Sequence, residues 1–517
     1  MTSSTDKPSV AIIGAGIAGL RAAEYLLERG FNVRIYEARD RIGGRVCQSS
    51  ELGKPVDLGP NWVHGTDQNP IIPLSERAKS TLHEFGHLCP IIGPDGNRLD
   101  QKEADELMNR MWGIIDEATH HSKAHWSSIA ADLSLYDYTV QKVSETSEAA
   151  SNNTSTSQNG AVQEESEETR KRNLLLDMAH MWGTFIGSSI HQQSLKFFFL
   201  EEPVEGPNLF VADTYSSILS NLAAPILAAN ILHLSTPITS ITTSSTAPYI
   251  TLTSPTKTFT ADTIILTIPL GSLQRLPPTF FTPPLPSRLQ TAITSLSYGT
   301  LEKIYLHFPC AFWGSENAPF YSFLSPSYSP LNPSQTHMCC FSLHQLPGTY
   351  SQPTLLFYVF GDTSKYLTSS SFLPANATEK ERVERYREFF RPYYSRLAGY
   401  DGEDPRHEPD KVLATRWCRD EWAGFGSYSN FQVGLREGGR DIEVLREGAE
   451  ERRVWFAGEH TAPVLGLGSV SGAWWSGEGV GKMVEKWWER GGRGKGEGEE
   501  GGDAGTTERR EEAKGGA

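Results

Sequence analysis

Residues 10–45 constrain what this chain can fold into more than any other stretch. A short apolar run, Val10-Ala11-Ile12-Ile13, leads into Gly14-Ala15-Gly16-Ile17-Ala18-Gly19. Apolar residues then recur at helical spacing over 20–29, and a second strand pattern over 31–36 ends at Glu37. Strand, glycine turn, helix, strand and acid, in that order, describe a dinucleotide phosphate site followed by a ribose clamp. Gly14 permits the tight turn, Gly16 lets the backbone approach a pyrophosphate, and Gly19 lets the helix sit close on the sheet. The free N–H groups of the first helical turn, from Ile17 onward, face the phosphates. The competing reading is a strand–helix turn with no ligand.

Beyond Glu37 the chain reads Ala38-Arg39-Asp40-Arg41-Ile42-Gly43-Gly44-Arg45. A second glycine loop so soon after the acid brings backbone amides and a guanidinium to the same pyrophosphate, whose oxygens match the arginine fork. The pattern resembles the flavin-containing amine oxidase family, in which this loop contacts FAD. The resemblance adds Ala38, Arg39, Gly44 and Arg45 to the cofactor residues. The alternative is a solvated basic turn.

The 517 residues suffice for two or three domains with substantial cores, and 38% hydrophobic content suits a globular chain. No apolar run approaches the roughly 20 residues that cross a bilayer, and the polar start leaves no room for a secretory signal. The expected compartment is therefore cytoplasmic, and the final Gly-Gly-Ala is not a peroxisomal Ser-Lys-Leu tail. A net charge of -15 argues against nucleic acid as partner. The six cysteines show no zinc spacing, no metal site is expected, and Cys339 and Cys340 read as buried strand residues.

Segment 141–172 is Ser, Thr, Asn, Gln and Glu with few large apolar residues, and is expected to be a disordered insert. The Gly- and Glu-rich tail, 491–517, is expected to be disordered too. Helices are expected over 99–138, 173–199 and 213–229, with short strands at 237–241, 249–253, 258–260 and 263–268. The last of these suits a buried parallel strand returning to the first sheet. Strands dominate 301–366, and a helix over 378–390 should stop at Pro392.

Near the C-terminus, an apolar strand closes on Gly458-Glu459-His460-Thr461, and a glycine-rich turn through Ser469 opens a helix at Val470. That string resembles the C-terminal FAD signature of the amine oxidases, which implies that Gly458, Glu459, Ser469 and Val470 meet the cofactor, Glu459 through ribityl or phosphate-linked hydroxyls. A helix start there offers its positive end to the flavin. The segment Asp57-Leu58-Gly59-Pro60-Asn61-Trp62-Val63-His64-Gly65 resembles the flavin-flanking loop of polyamine and spermine oxidases, with His64 lining the substrate tunnel. Thr267-Ile268-Pro269 resembles the family's strand-to-linker crossover, and the resemblance also sets Ile238 at the cofactor. Trp417 and Tyr428 resemble aromatic walls of the flavin face, although plain core is their other reading.

Lys303 lies in a strand pattern and shares a face with Leu301 and Tyr305. On pattern alone such a lysine turns to solvent; the family resemblance instead implies a buried lysine that holds a water against flavin N5. Ser427 stands where monoamine oxidases carry the cysteine that bonds to the flavin, which implies non-covalent FAD. Leu301 replaces an aromatic of plant polyamine oxidases, and Ser469 a tyrosine of their amine cage. Glu201 and Glu202 either salt-bridge a distal ammonium or form a solvated helix end.

The fold implied is α/β with two domains: a glutathione-reductase-like (Rossmann) FAD domain from 8–95, 206–272 and 408–490, and an α+β substrate domain with a mixed sheet from 96–205 and 273–407. The reaction implied is oxidation of a C–N bond of a polyamine with FAD and O2, giving an aldehyde and hydrogen peroxide. Lys303, His64 and Tyr428 are the catalytic candidates; His64, Glu201, Glu202, Tyr428 and Ser469 are the substrate-binding ones. A monoamine or L-amino-acid oxidase is the alternative within the class. A histone-lysine demethylase is a further one, against which stand the short insert and the absence of a histone-reading segment before Val10. A silent FAD-binding scaffold is the last.

Overall fold

The computed structural model describes residues 7–151, 166–202, 204–244, 247–463 and 466–492. The opening pattern folds as strand Ser9–Ile13, helix Ile17–Glu28 and strand Asn32–Tyr36. The two strands pair in parallel, and Thr263–Leu266 joins the free side of the first, with Val10 opposite Thr263. Val454–Phe456 extends the sheet beyond Thr263–Leu266, and Leu232–His233 closes the other edge. Alternation sends Val10, Ile12, Ile265 and Trp455 into one core, against helices Ile17–Glu28, Ser216–Ala228 and Val470–Glu489. Ala11, Ile13, Ile264 and Phe456 face a second core on the opposite side. A sheet covered on both faces explains why these strands read as continuous apolar runs.

A second, mixed sheet has the order Lys411–Ala414, Leu301–His307, Thr354–Phe360, Met338–Ser342, Phe320–Phe323, Ile91–Ile92. Ile304, Leu306 and Phe357 pack on helix Glu379–Tyr394. Leu301, Tyr305 and Tyr358 face the other way, toward Trp62. Helices Gln101–His125, Leu135–Ser151 and Glu167–Ala179 close around their own apolar cluster.

Three expectations are corrected. Segment 141–172 is helical at both ends: Leu135–Ser151 runs on past 141 and Glu167–Ala179 begins before 172. Val143 is buried, Gln141 bonds Glu145 one turn on, and Ser166 caps the second helix, so local helix chemistry prevails over low complexity. Residues 152–165 of that segment, and 493–517 of the tail, lie outside the described residues. Pro392 does not end its helix, which reaches Tyr394, because the stripe Phe389, Phe390, Tyr393 and Tyr394 stays buried. The expected helix over 173–199 breaks at Gly187, which takes φ +69°. Cys339 and Cys340 are buried in strand Met338–Ser342, and the six cysteines are free thiols. No described helix is long and apolar enough to cross a membrane.

Candidate active site

The two glycine loops meet face to face. Gly14 takes φ +111°, and a Cβ on Gly19 would lie 2.1 Å from the Gly14 carbonyl oxygen, so the helix touches the turn backbone. Gly16 differs, because a Cβ there meets nothing nearer than the Gly43 oxygen at 4.0 Å. Gly44, across the gap, would carry its Cβ 3.7 Å from the Gly16 Cα. Helix Ile17–Glu28 starts with no side-chain cap and no acid in its first turn. Unclaimed amides beside a gap lined by two bare glycines fit a pyrophosphate. Glu37, at the end of the second strand, is buried and accepts the Ala15 and Arg39 N–H groups at 2.7 and 2.9 Å. Ala38 beside it is half-buried. Thr236 N–H donates to the Glu37 carbonyl at 2.8 Å, which carries the segment leading to Ile238 alongside the acid.

The basic turn divides. Arg39 does not face the phosphate gap: its Nη2 pairs with Asp420 at 2.9 Å. Arg41 donates to the carbonyls of Ile42 and Gly44 and so braces the loop. Arg45 turns inward, its Nη1 2.9 Å from Glu459 Oε1 and donating to the Ser427 carbonyl at 2.7 Å. Glu459 also accepts from the Ser429 and Gly468 N–H groups and the Ser429 hydroxyl. Its carboxylate ties the first motif to the last. Gly458, before it, takes φ +148° and donates its N–H to Ser476.

Ser469 caps helix Val470–Glu489: its hydroxyl accepts the Gly472 N–H at 2.9 Å and donates to the Gly466 carbonyl at 2.7 Å. Gly468 beside it abuts the Tyr428 ring, a Cβ there lying 3.1 Å from Tyr428 Cδ2.

Lys303 is 6% exposed, which removes the solvent-facing reading. Its ammonium donates to the Gly59 carbonyl and Asn61 Oδ1 and lies 5.3 Å from the Tyr358 ring centroid. Burial pulls its pKa down, opposed by the buried Asp57 carboxyl, which burial pushes up in turn. Tyr358 donates to Asn61 Oδ1 at 3.0 Å and accepts Trp62 Nε1–H at 3.2 Å. Trp417 is buried and its indole N–H donates to the Leu58 carbonyl at 3.1 Å, one residue before Gly59 and Pro60. The loop, the strand and the tryptophan thus lock one another.

His64 keeps an accessible ring, yet the surrounding protein desolvates it and lowers its pKa, with Lys303 adding to the shift and an Asn208 hydrogen bond opposing it. Tyr428 is half-buried, its hydroxyl donating to the Phe185 carbonyl at 2.5 Å. The two glutamates separate. Glu202 has a side chain 39% exposed and pairs with Lys123 at 3.0 Å. Glu201 turns inward and accepts the Phe431 N–H at 3.1 Å.

Sequence reasoning assigned no role to Asp57, Tyr298, Tyr305, Tyr358 or Asn208. Asp57 stood inside a quoted motif, and an acid in an apolar loop was the available signal. The tyrosines sit in strands and carried none.

The family described as "Flavin containing amine oxidoreductase" matches residues 17–480. The chain belongs to that family. Its cofactor is FAD, which the glycine gap and the uncapped helix fit, and its architecture is the two-domain one of the flavin amine oxidases. It is 26% identical to Probable polyamine oxidase 4 of Arabidopsis thaliana, over 91% of this chain and 86% of that protein. It is 28% identical to Lysine-specific histone demethylase 2 of Homo sapiens and 27% to Lysine-specific histone demethylase 1 homolog 1 of Arabidopsis thaliana. Each covers 88% of this chain, which spans half the length of those demethylases. Cyclohexylamine oxidase from Brevibacterium oxydans shares the fold at TM-score 0.68 and 18% identity, covering 94% of this chain and 100% of that one.

Proposed function

We propose that this flavin amine oxidase breaks a C–N bond of a polyamine, either spermine, spermidine or an N-acetyl derivative. The observation that carries the reading is the buried Lys303 clasped by Gly59 and Asn61, with His64 on the same loop. The plant polyamine oxidase, matched over most of both chains, supports it. An amino-acid oxidase needs a guanidinium for the carboxylate, whereas Arg45 is held by Glu459. By the family resemblance, histone-lysine demethylases carry a long coiled-coil arm at about this point. Here the helices flanking 152–165 turn Val143, Leu174 and Met178 inward onto the domain's own core.

Bound FAD supplies the hydride acceptor and, with O2, the route to hydrogen peroxide. The chain's part is placement and protection. The Lys303 ammonium fixes the 57–65 loop and presents a positive charge that disfavours an ammonium beside it. His64 orients the amine nitrogen, and Tyr428 walls the cleft. Water then hydrolyses the released imine to an aldehyde and a shortened amine.

A peroxide-release screen of the purified yellow protein against spermine, spermidine, acetylated forms, monoamines and amino acids tests the reading. Turnover of polyamines is expected. Peroxide from monoamines alone contradicts it. His64→Ala should lower kcat/KM for the polyamine by roughly tenfold or more near neutral pH, the scale of one lost hydrogen bond to a charged or reacting group.

A further inference from the structure

We propose that Glu201 takes the proton from the substrate ammonium, so that a neutral amine reaches the oxidation step. This deepens the amine-oxidase reading and rests on it. The turn Phe198–Glu201 packs Phe198 into the helical core and against Trp182, and Glu201 turns inward onto the Phe431 backbone, three residues beyond Tyr428. Hydrogen bonds from the Phe431 N–H and, at 3.4 Å, from Gln193 Nε2 both fall on Oε1. Among the described residues Glu201 forms no ion pair, in contrast to Glu202 and its Lys123. Oε2 therefore remains for an incoming cation.

The charged neighbours set the direction of transfer. Glu459 faces Glu201 and is neutralised by Arg45; Tyr428 feels both acids; neutral His460 follows Glu459 in sequence. On the other side, Lys303 and Tyr358 share Asn61 as acceptor, Lys303 adds to the downward pull on His64, and Tyr428 acts on Tyr358 electrostatically. An ammonium is thus attracted on the glutamate side and repelled on the lysine side. Desolvation with the Glu459 charge raises Glu201 to about 7, so the carboxylate is basic enough to compete near neutrality. The same desolvation lowers Lys303, and it would lower a substrate ammonium equally. In the transfer an N–H bond of the ammonium breaks and an O–H bond forms on Oε2. The lone pair released stays on nitrogen, and the carboxylic acid later returns its proton to water in the cleft.

The test uses the holoenzyme and spermine as probe, following anaerobic bleaching of the flavin across pH in wild type, Glu201→Gln and Glu201→Asp. Retained FAD and melting temperature certify that each variant is folded. The wild-type rate should fall on the acid side of about pH 7. Glu201→Gln should bleach roughly 100-fold more slowly near neutral pH and recover toward about pH 10, where free amine is plentiful in solution. Glu201→Asp should restore part of the neutral-pH rate. An unchanged pH profile in Glu201→Gln overturns the proposal. So does a raised KM with unchanged limiting rate, which describes a cation anchor, or a loss equal at every pH, which describes a structural role. A wild type that spermine never bleaches overturns the parent reading instead, and this inference with it.

Discussion

Lys303 sits on a strand face with Leu301 and Tyr305, and two oxygen acceptors decide its orientation. Removing the ammonium leaves Asn61 Oδ1 and the Gly59 carbonyl short of a donor in a buried site. Lys303→Met should therefore lower stability by about 1–3 kcal/mol, read as a drop in melting temperature alongside lost activity. Arg45→Met should be costlier, about 3 kcal/mol, because it strands the 4% exposed Glu459 carboxylate. Unfolding in denaturant measures both. At this scale the sequence was legible only in part. It flagged Lys303, Arg39 and Arg45 as candidates. The spacing could not say that Arg39 would find Asp420, 381 residues away, while Arg45 would turn inward. Such choices are made by partners that become neighbours only after folding.

The glycine turn gives the clearest case at the level of elements, because its glycines have separable duties. Gly19→Ala drives a Cβ into the Gly14 carbonyl and should prevent the helix from seating, seen as loss of soluble protein. Gly16→Ala meets no protein atom closer than 4.0 Å. The apoprotein should keep its melting temperature while FAD affinity falls, which titration with FAD would record. The opening strand–turn–helix was readable because its signals are local: apolar runs, glycines and an acid at fixed offsets. The helices across 141–151 and 167–172 were not, since their stability comes from docking Val143, Leu174 and Met178 into a shared core. Helix Glu379–Tyr394 outlasting Pro392 has the same cause.

Burial of histidines works against acid tolerance at the scale of the whole molecule. His337 and His460 are pulled down to about 3 and about 4, chiefly by desolvation. Both therefore stay neutral in the fold while the unfolded chain protonates them near pH 6.5. Their contribution is complete above about 6.5 and is lost as pH falls toward 4, since the unfolded state then binds more protons. Asp57 and Glu201, both raised to about 7 by burial, shift stability the opposite way over the same window, so the histidine decline is read from a variant. In His337→Gln the decline should be shallower by an amount on the order of a few kcal/mol at its acid end. Two domains and a dinucleotide site were legible at this scale from motifs at both chain ends, whereas the mixed sheet's strand order was not, because pairing between distant strands leaves no local mark.

The salt link between Arg45 and Glu459, together with the seat of Thr263–Leu266 between the first strand and Val454–Phe456, carries a consequence for biosynthesis. The nucleotide grip cannot close until Glu459, 414 residues beyond Arg45, has been made. Until then the nascent Rossmann half displays an unpaired strand edge, and FAD capture follows the meeting of the two distant motifs rather than guiding the first of them.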